Sequence, residues 1–280
     1  MGRHLAGDED PAIDLDGVAE RRDRRRRTGD HEKERRAHGE FLSVRLVAMT
    51  TSKTRTLVLL PGYLCDAELW ADMVPDLQAL GQVHHGNLYA DDTLDGMARR
   101  VLAEAPQQFV LVGFSMGGFV ARVLALMAPE RVAGVAFVAS SARGYSAEEN
   151  ERRKAGAAPG IRPPRVGTGA PGLHPDREND PALLARLRGM QKRLGPEVRT
   201  RQAALVRRDG YGDLERINCP SLVVACRHDR LRSFAETERM ARHLRHSSFE
   251  VIEDCGHMAP LERPRELAAL LAGWIRREGL

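Results

Sequence analysis

The chain has 280 residues, 42% of them hydrophobic, and its 43 Lys and Arg against 39 Asp and Glu leave a formal net charge of +4. No stretch approaches the roughly 20 apolar residues of a membrane helix, and no membrane partner is expected. The four cysteines, Cys65, Cys219, Cys226 and Cys255, form no C-x-x-C pair, which argues against a disulfide framework and for reduced thiols in a cytoplasmic protein.

Residues 1–48 read as a disordered charged tail. The run Arg21-Arg22-Asp23-Arg24-Arg25-Arg26-Arg27 sits among acids that nearly cancel its charge, which favours solvation over a nucleic-acid partner. No apolar stretch follows it, as an export signal would need. Phe41 to Val47 alternates weakly and reads as an optional edge strand. Met49, directly before the first core strand, is expected to be the physiological start.

From residue 49 to 280 a single domain is expected. Strands are predicted at 56–60, 82–85, 109–113, 132–139, 221–226 and 248–253. Helices are predicted at 66–79, 93–104, 116–127, 233–244 and 263–276. Such alternation means a mostly parallel sheet with helices on both faces, an α/β fold. Residues of about 141–216 interrupt it. Gly and Pro crowd 155–175, and helical stretches follow near 181–194 and 196–208. The segment reads as a helical cap rich in arginine, including Arg152, Arg153, Arg162, Arg165, Arg186, Arg188, Arg193, Arg207 and Arg208. Most belong on solvated faces, and one or two are candidates to grip a substrate carboxylate.

The stretch Gly113-Phe114-Ser115-Met116-Gly117 joins the apolar strand Phe109-Val110-Leu111-Val112 to a helix. A serine between two glycines in a sharp strand-to-helix turn is exposed at the carboxyl end of the sheet, beside a helix N-terminus that favours developing negative charge. Serine is a poor nucleophile at neutral pH. It needs a histidine base, which in turn needs a carboxylate to fix its tautomer. Asp229 follows the strand at 221–226, and His257 follows the strand at 248–253. Both fall on the sheet edge that carries Ser115, in the chain order Ser, Asp, His. His228, Asp254, Asp213 and Glu215 are weaker competitors, and Cys255 a remote alternative nucleophile. Backbone N–H groups of Tyr63, after Pro61-Gly62, and of Met116 are the expected oxyanion donors. His84-His85 lacks further spaced ligands, and no metal or organic cofactor is expected.

Taken together, Leu-Leu-Pro-Gly at 59–62, Gly-Phe-Ser-Met-Gly-Gly at 113–118, Ala-Pro-Glu-Arg-Val at 128–132, Arg-His-Asp at 227–229 and Gly-His followed by Leu-Glu-Arg-Pro at 261–264 resemble the α/β-hydrolase superfamily. The nearest look is to bacterial esterases, enol-lactonases and cofactor-free perhydrolases. The resemblance implies an α/β-hydrolase fold, a triad of Ser115, Asp229 and His257, and oxyanion donors Tyr63 and Met116. One departure is Pro61, where the family usually carries His, so support for the oxyanion loop must come from elsewhere. The expected function is hydrolysis of a small-molecule ester through an acyl-enzyme on Ser115. The alternatives are a lactonase, C–C bond hydrolase or perhydrolase on the same triad, or a non-catalytic ligand receptor on the same scaffold.

Overall fold

The computed structural model describes residues 55–157, 170 and 172–280. The tail expected over 1–48, and the edge strand at Phe41 to Val47, lie outside them. Six strands, β1 (Thr56–Leu60), β2 (Gln82–His85), β3 (Phe109–Phe114), β4 (Val132–Val138), β5 (Ser221–Cys226) and β6 (Ser247–Ile252), form one sheet in the order β2-β1-β3-β4-β5-β6. Every pairing is parallel.

The sheet is covered on both faces because its central strands are apolar on both. Leu57, Leu59, Val110, Val112 and Phe114 point to one side. There they pack against Trp70, α1 (Val74–Gln78) and α9 (Pro264–Arg277), with Leu77, Leu271 and Trp274 fully buried. Val58, Leu60, Leu111, Val135 and Phe137 point to the other. They meet α2 (Leu94–Glu104), α3 (Met116–Met127) and α7 (Phe234–His243). Side chains alternate across a strand, so a run without polar interruption must bury both faces.

The helix expected over 66–79 is two pieces: a 3₁₀ turn at Ala67–Trp70, capped by Asp66, and α1. Pro75 explains the break. It has no N–H to donate and its ring clashes with the preceding turn, so it sits at the start of a new helix rather than inside one. In the same way, the last helix is preceded by a separate short helix, α8 (Ala259–Glu262).

The segment between β4 and β5 holds α4 (Ala147–Ala157), α5 (Pro181–Ala204) and α6 (Tyr211–Leu214). The two helical stretches expected at 181–194 and 196–208 are the two halves of α5, which break at Gly195, whose φ of +75° and ψ of −178° are not helical; Pro196 opens the second half, which ends at Ala204 rather than 208. The helix α4 was not expected. Its sequence is polar on every side, but Ser146 and Glu149 exchange bonds across its first turn: Ser146 Oγ accepts from the Glu149 amide at 3.1 Å, and the Glu149 carboxylate accepts from the Ser146 amide at 2.7 Å. That reciprocal cap is the local signal that marks this helix.

The strand order fixes where a ligand can sit. The chain leaves β1 toward β2 on one side and leaves β3 toward β4 on the other. Between their carboxyl ends lies a crevice, the usual ligand position in open α/β sheets.

Candidate active site

Ser115 stands at the end of β3, one residue before α3. Its φ of +51° and ψ of −109° are rarely adopted by a residue with a side chain. Its neighbours over-determine this geometry. The Ser115 amide donates to the Val138 carbonyl at 2.9 Å, and the Ser115 carbonyl accepts from the hydroxyl of buried Ser140 at 2.9 Å. The turn closes only because the adjoining positions lack side chains. A Cβ at Gly117 would lie 2.2 Å from the Leu60 carbonyl oxygen, and one at Gly113 would lie 2.7 Å from that of Gly117.

His257 reaches this serine from the loop after β6. Its Nε2 lies 2.8 Å from Ser115 Oγ, and its Nδ1 lies 2.7 Å from Asp229 Oδ2. The ring packs on Phe114, centroids 5.1 Å apart. Its amide donates to the Gly172 carbonyl at 2.7 Å. Asp229, in the loop after β5, keeps its side chain 2% exposed. Its Oδ1 accepts the amides of Leu231 and Arg232 at 2.7 and 2.8 Å, which leaves Oδ2 aimed at the imidazole. The carboxylate is thereby locked in one rotamer, and since a carboxylate only accepts, the ring tautomer that fits this geometry has its proton on Nδ1 and its Nε2 lone pair toward Ser115.

The competing residues lie elsewhere. His228 stacks edge-on against His174. Asp254 pairs with Arg177 at 3.0 Å and with Arg263. Asp213 faces Arg122, and Glu215 bonds His243. Cys255 is buried, and its hydrogen bond with Cys226, followed by burial, pushes the thiol far above its ordinary range. All four cysteines are free. His84 and His85 end β2, and the described residues hold no group of three or more His, Cys, Asp or Glu arranged around a common metal position.

Loop 61–65 lies beside the serine. A Cβ on Gly62 would sit 3.5 Å from Ser115 Cβ and 2.8 Å from the Phe114 ring, so only glycine lets the loop approach this closely. Tyr63 follows, and Met116 opens α3, where the first amides of a helix have no intrahelical acceptor. The next residue, Leu64, has φ of +53°.

Sequence reasoning did not single out the residues that hold these loops. Gln202, fully buried on α5, accepts the Leu64 amide at 2.8 Å and donates to the Leu88 carbonyl at 3.1 Å. It comes from far along the chain, so no local pattern signals it. It fills the supporting role that the Pro61 departure leaves open. Glu262 has a fully buried carboxylate that accepts the amides of His174 and Met258, at 2.8 and 3.2 Å, and the Arg177 guanidinium at 3.1 Å. It ties the His257 loop to residues 172–177. Its place in the Leu-Glu-Arg-Pro motif was visible, but not this task.

A cavity of about 520 Å³ opens onto Ser115 and His257, walled by Tyr63, Phe114, Leu187, Ala203, Leu231 and Met258 together with several arginines. This volume suits a small organic molecule. Of the arginines in the insertion, Arg186 and Arg193 bind Asp72 and Asp66 of the core, Arg152 pairs with Glu148, and Arg188 is exposed. Arg153 and Arg207 line the cavity. Arg162 and Arg165 lie outside the described residues.

The parallel sheet, the strained serine turn and the imidazole–carboxylate pair at one sheet edge define an α/β hydrolase. The chain belongs to the alpha/beta hydrolase family, whose model matches residues 57–270. Among curated relatives, it is 42% identical over 95 residues to the pimeloyl-[acyl-carrier protein] methyl ester esterase of Edwardsiella ictaluri, covering 31% of this chain and 37% of that protein. It is 38% identical over 122 residues to the protein of the same name from Sodalis glossinidius, covering 41% and 44%. The matched segments thus span less than half of these relatives. Among solved structures, a thermophilic esterase from Thermogutta terrifontis, studied with malate bound, has a TM-score of 0.71 at 27% identity, over 80% of this chain and 90% of that one. The enol-lactonase from Burkholderia xenovorans LB400 has a TM-score of 0.69 at 21% identity, over 81% and 93%, and shares the fold. No helix among the described residues is long and apolar enough to cross a membrane.

Proposed function

We propose that the protein is a carboxylic-ester hydrolase of small molecules, with Ser115 as nucleophile, His257 as general base and Asp229 as its orienting carboxylate. The reading rests on the unbroken chain of short contacts from Ser115 Oγ through His257 to Asp229, at 2.8 and 2.7 Å. His257 Nε2 takes the serine proton as Oγ attacks the ester carbonyl. The Tyr63 and Met116 amides hold the tetrahedral oxyanion. His257 then protonates the leaving alcohol, and the acyl group stays on Ser115. Water, deprotonated by the same nitrogen, attacks this acyl-enzyme and releases the acid. Each oxyanion donor in such a site is worth about 3 kcal/mol of barrier.

The segment between β4 and β5 acts as a cap that shapes the pocket and excludes water. A cytoplasmic location fits the four free thiols. The names of the curated relatives favour ester hydrolysis over lactone, C–C bond or peracid chemistry, which the same three residues would also serve. Turnover of short 4-nitrophenyl esters, with labelling of Ser115 by a fluorophosphonate probe, is the expected result. A folded protein that neither turns over nor labels removes the reading.

A further inference from the structure

The proposed ester chemistry employs a serine, an imidazole, a carboxylate and two amides. The same cavity is also lined by Tyr145, Arg153, Arg207 and Arg232, for which that chemistry has no use. Arg207 lies just beyond α5 and is only 3% exposed. Its Nη1 donates to Tyr145 Oη at 2.7 Å, and its guanidinium lies over the rings of Phe119 and Tyr145, 4.6 and 4.9 Å from their centroids. Arg232 donates from Nη2 to the same phenol oxygen at 2.9 Å and from Nη1 to the Leu231 carbonyl at 2.6 Å. The Nε of each is buried with no acceptor. Arg153 donates to the carbonyls of Leu205 and Gln202, at 3.1 and 3.4 Å, and lies over the Tyr145 ring, 5.0 Å from its centroid.

None of these three arginines has an ion-pair partner among the described residues, whereas Arg143 nearby on the chain pairs with both Glu149 and Glu236. Residues 158–171 of the insertion contain no Asp or Glu. Burying cations together without a counter-charge is among the costliest arrangements a fold can keep. Its effect is visible in the groups themselves. Burial lowers Arg153 and pushes Arg207 down to about 9, still a cation at neutral pH. Burial alone would raise the Tyr145 phenol, but Arg207, Arg232 and Arg153 outweigh it and hold it below its ordinary value. Among the described residues the cluster lacks an anion, and the cavity that would admit one also contains the reactive serine.

We propose that Arg207 and Arg232, supported by Arg153 and Tyr145, form a carboxylate-binding subsite within the Ser115 cavity, so that the preferred substrate is an ester carrying a free carboxylate at a distance from the scissile bond. The guanidinium forks match a carboxylate in shape and charge. The inference rests on the esterase reading, because it assigns the second group of that substrate.

Two measurements on the full chain test it. The first compares kcat/KM for 4-nitrophenyl hydrogen glutarate and for neutral 4-nitrophenyl pentanoate. The expected preference for the acidic ester is about 10- to 100-fold, the value of one or two charge-assisted bonds. Arg207→Gln and Arg232→Gln should each shrink that ratio about tenfold, and Arg232→Lys should restore part of it. If Arg207→Gln does not fold, half-exposed Arg232 carries the arm alone. The second measurement needs no turnover: glutarate binding to Ser115→Ala by calorimetry, with and without Arg232→Gln. Preference for the neutral ester, or equal losses on both esters, overturns the subsite. Arginine-dependent glutarate binding without hydrolysis of either ester upholds the subsite and overturns the esterase reading. Hydrolysis with neither preference nor binding does the reverse, and absence of both removes the two together.

Discussion

The carboxyl edge of the sheet and the insertion above it solve different problems with different means. At the sheet edge, Ser115, Asp229 and His257 are fixed by backbone: strand register, a strained turn, and amides that pin each side chain. In the insertion, position is set by long side chains reaching down to the core, such as Arg193 to Asp66, Arg186 to Asp72 and Gln202 to Leu64. A backbone-built site is stiff and suits chemistry that tolerates little displacement. A side-chain-built roof can change its contacts while the edge stays put. The proposed chemistry therefore belongs to the edge and the proposed substrate choice to the roof. Mutations on the two sides should separate accordingly.

The largest effects are expected at the edge. Ser115→Ala removes the proposed attacking oxygen and should lower kcat by about 10⁴-fold or more, with an unchanged melting temperature. Steady-state turnover of a 4-nitrophenyl ester checks this, and retention of more than a tenth of the activity would end the nucleophile assignment. Asp229→Asn comes next. The amide cannot accept from Nδ1–H at Oδ2 if its NH₂ group takes that place, so His257 is left in the wrong tautomer. Loss of about 10³-fold in kcat, with KM little changed, is expected.

A smaller effect is expected where the roof meets the edge. Gln202→Ala leaves the Leu64 amide and the Leu88 carbonyl without partners in a dry site, at a cost of about 1–3 kcal/mol in stability. It also frees the loop that presents the Tyr63 amide. We expect kcat to fall about tenfold at a temperature where the variant is fully folded. A lower melting temperature with unaltered kcat would assign Gln202 to stability alone.

The same contrast explains what the sequence made legible. The serine turn could be read directly because close approach demands glycine at 113 and 117, and no other residue answers that demand. Asp229 and His257 could be read because each follows an apolar strand by a few residues, and a parallel sheet gathers all its strand ends on one edge. The roof obeys no comparable rule. The helix α4 has no apolar stripe, and its local clues are polar: the capping pair, acids in the first turn and a lysine in the last. Arg207 looked like its neighbours in sequence, and only tertiary packing separates it, buried over Phe119, from exposed Arg208. Pro75 announced its helix break by ordinary stereochemistry, which apolar spacing alone obscures.

The smallest effect concerns a single tie between roof and edge. Arg193 grips Asp66 through Nε–Oδ2 at 2.7 Å and Nη2–Oδ1 at 3.0 Å, while Asp66 Oδ1 also caps the turn that follows loop 61–65. Burial would raise the Asp66 carboxyl, but the Arg193 hydrogen bond and the Glu68 amide outweigh it and hold it below its ordinary 3.8. A carboxyl held low in the folded state adds stability above its unfolded value and loses it as pH falls through the folded one. Arg193 is half exposed, so water and salt screen the pair, and Arg193→Ala should cost less than about 1 kcal/mol at neutral pH. Thermal melts of the two proteins should converge as the pH drops below the ordinary aspartate range, and again as ionic strength rises. Turnover of the neutral ester should follow stability and nothing more, since this bond holds the roof's rim and not its lining. A large fall in kcat instead would mean that the edge is less independent of its roof than its backbone bonding implies.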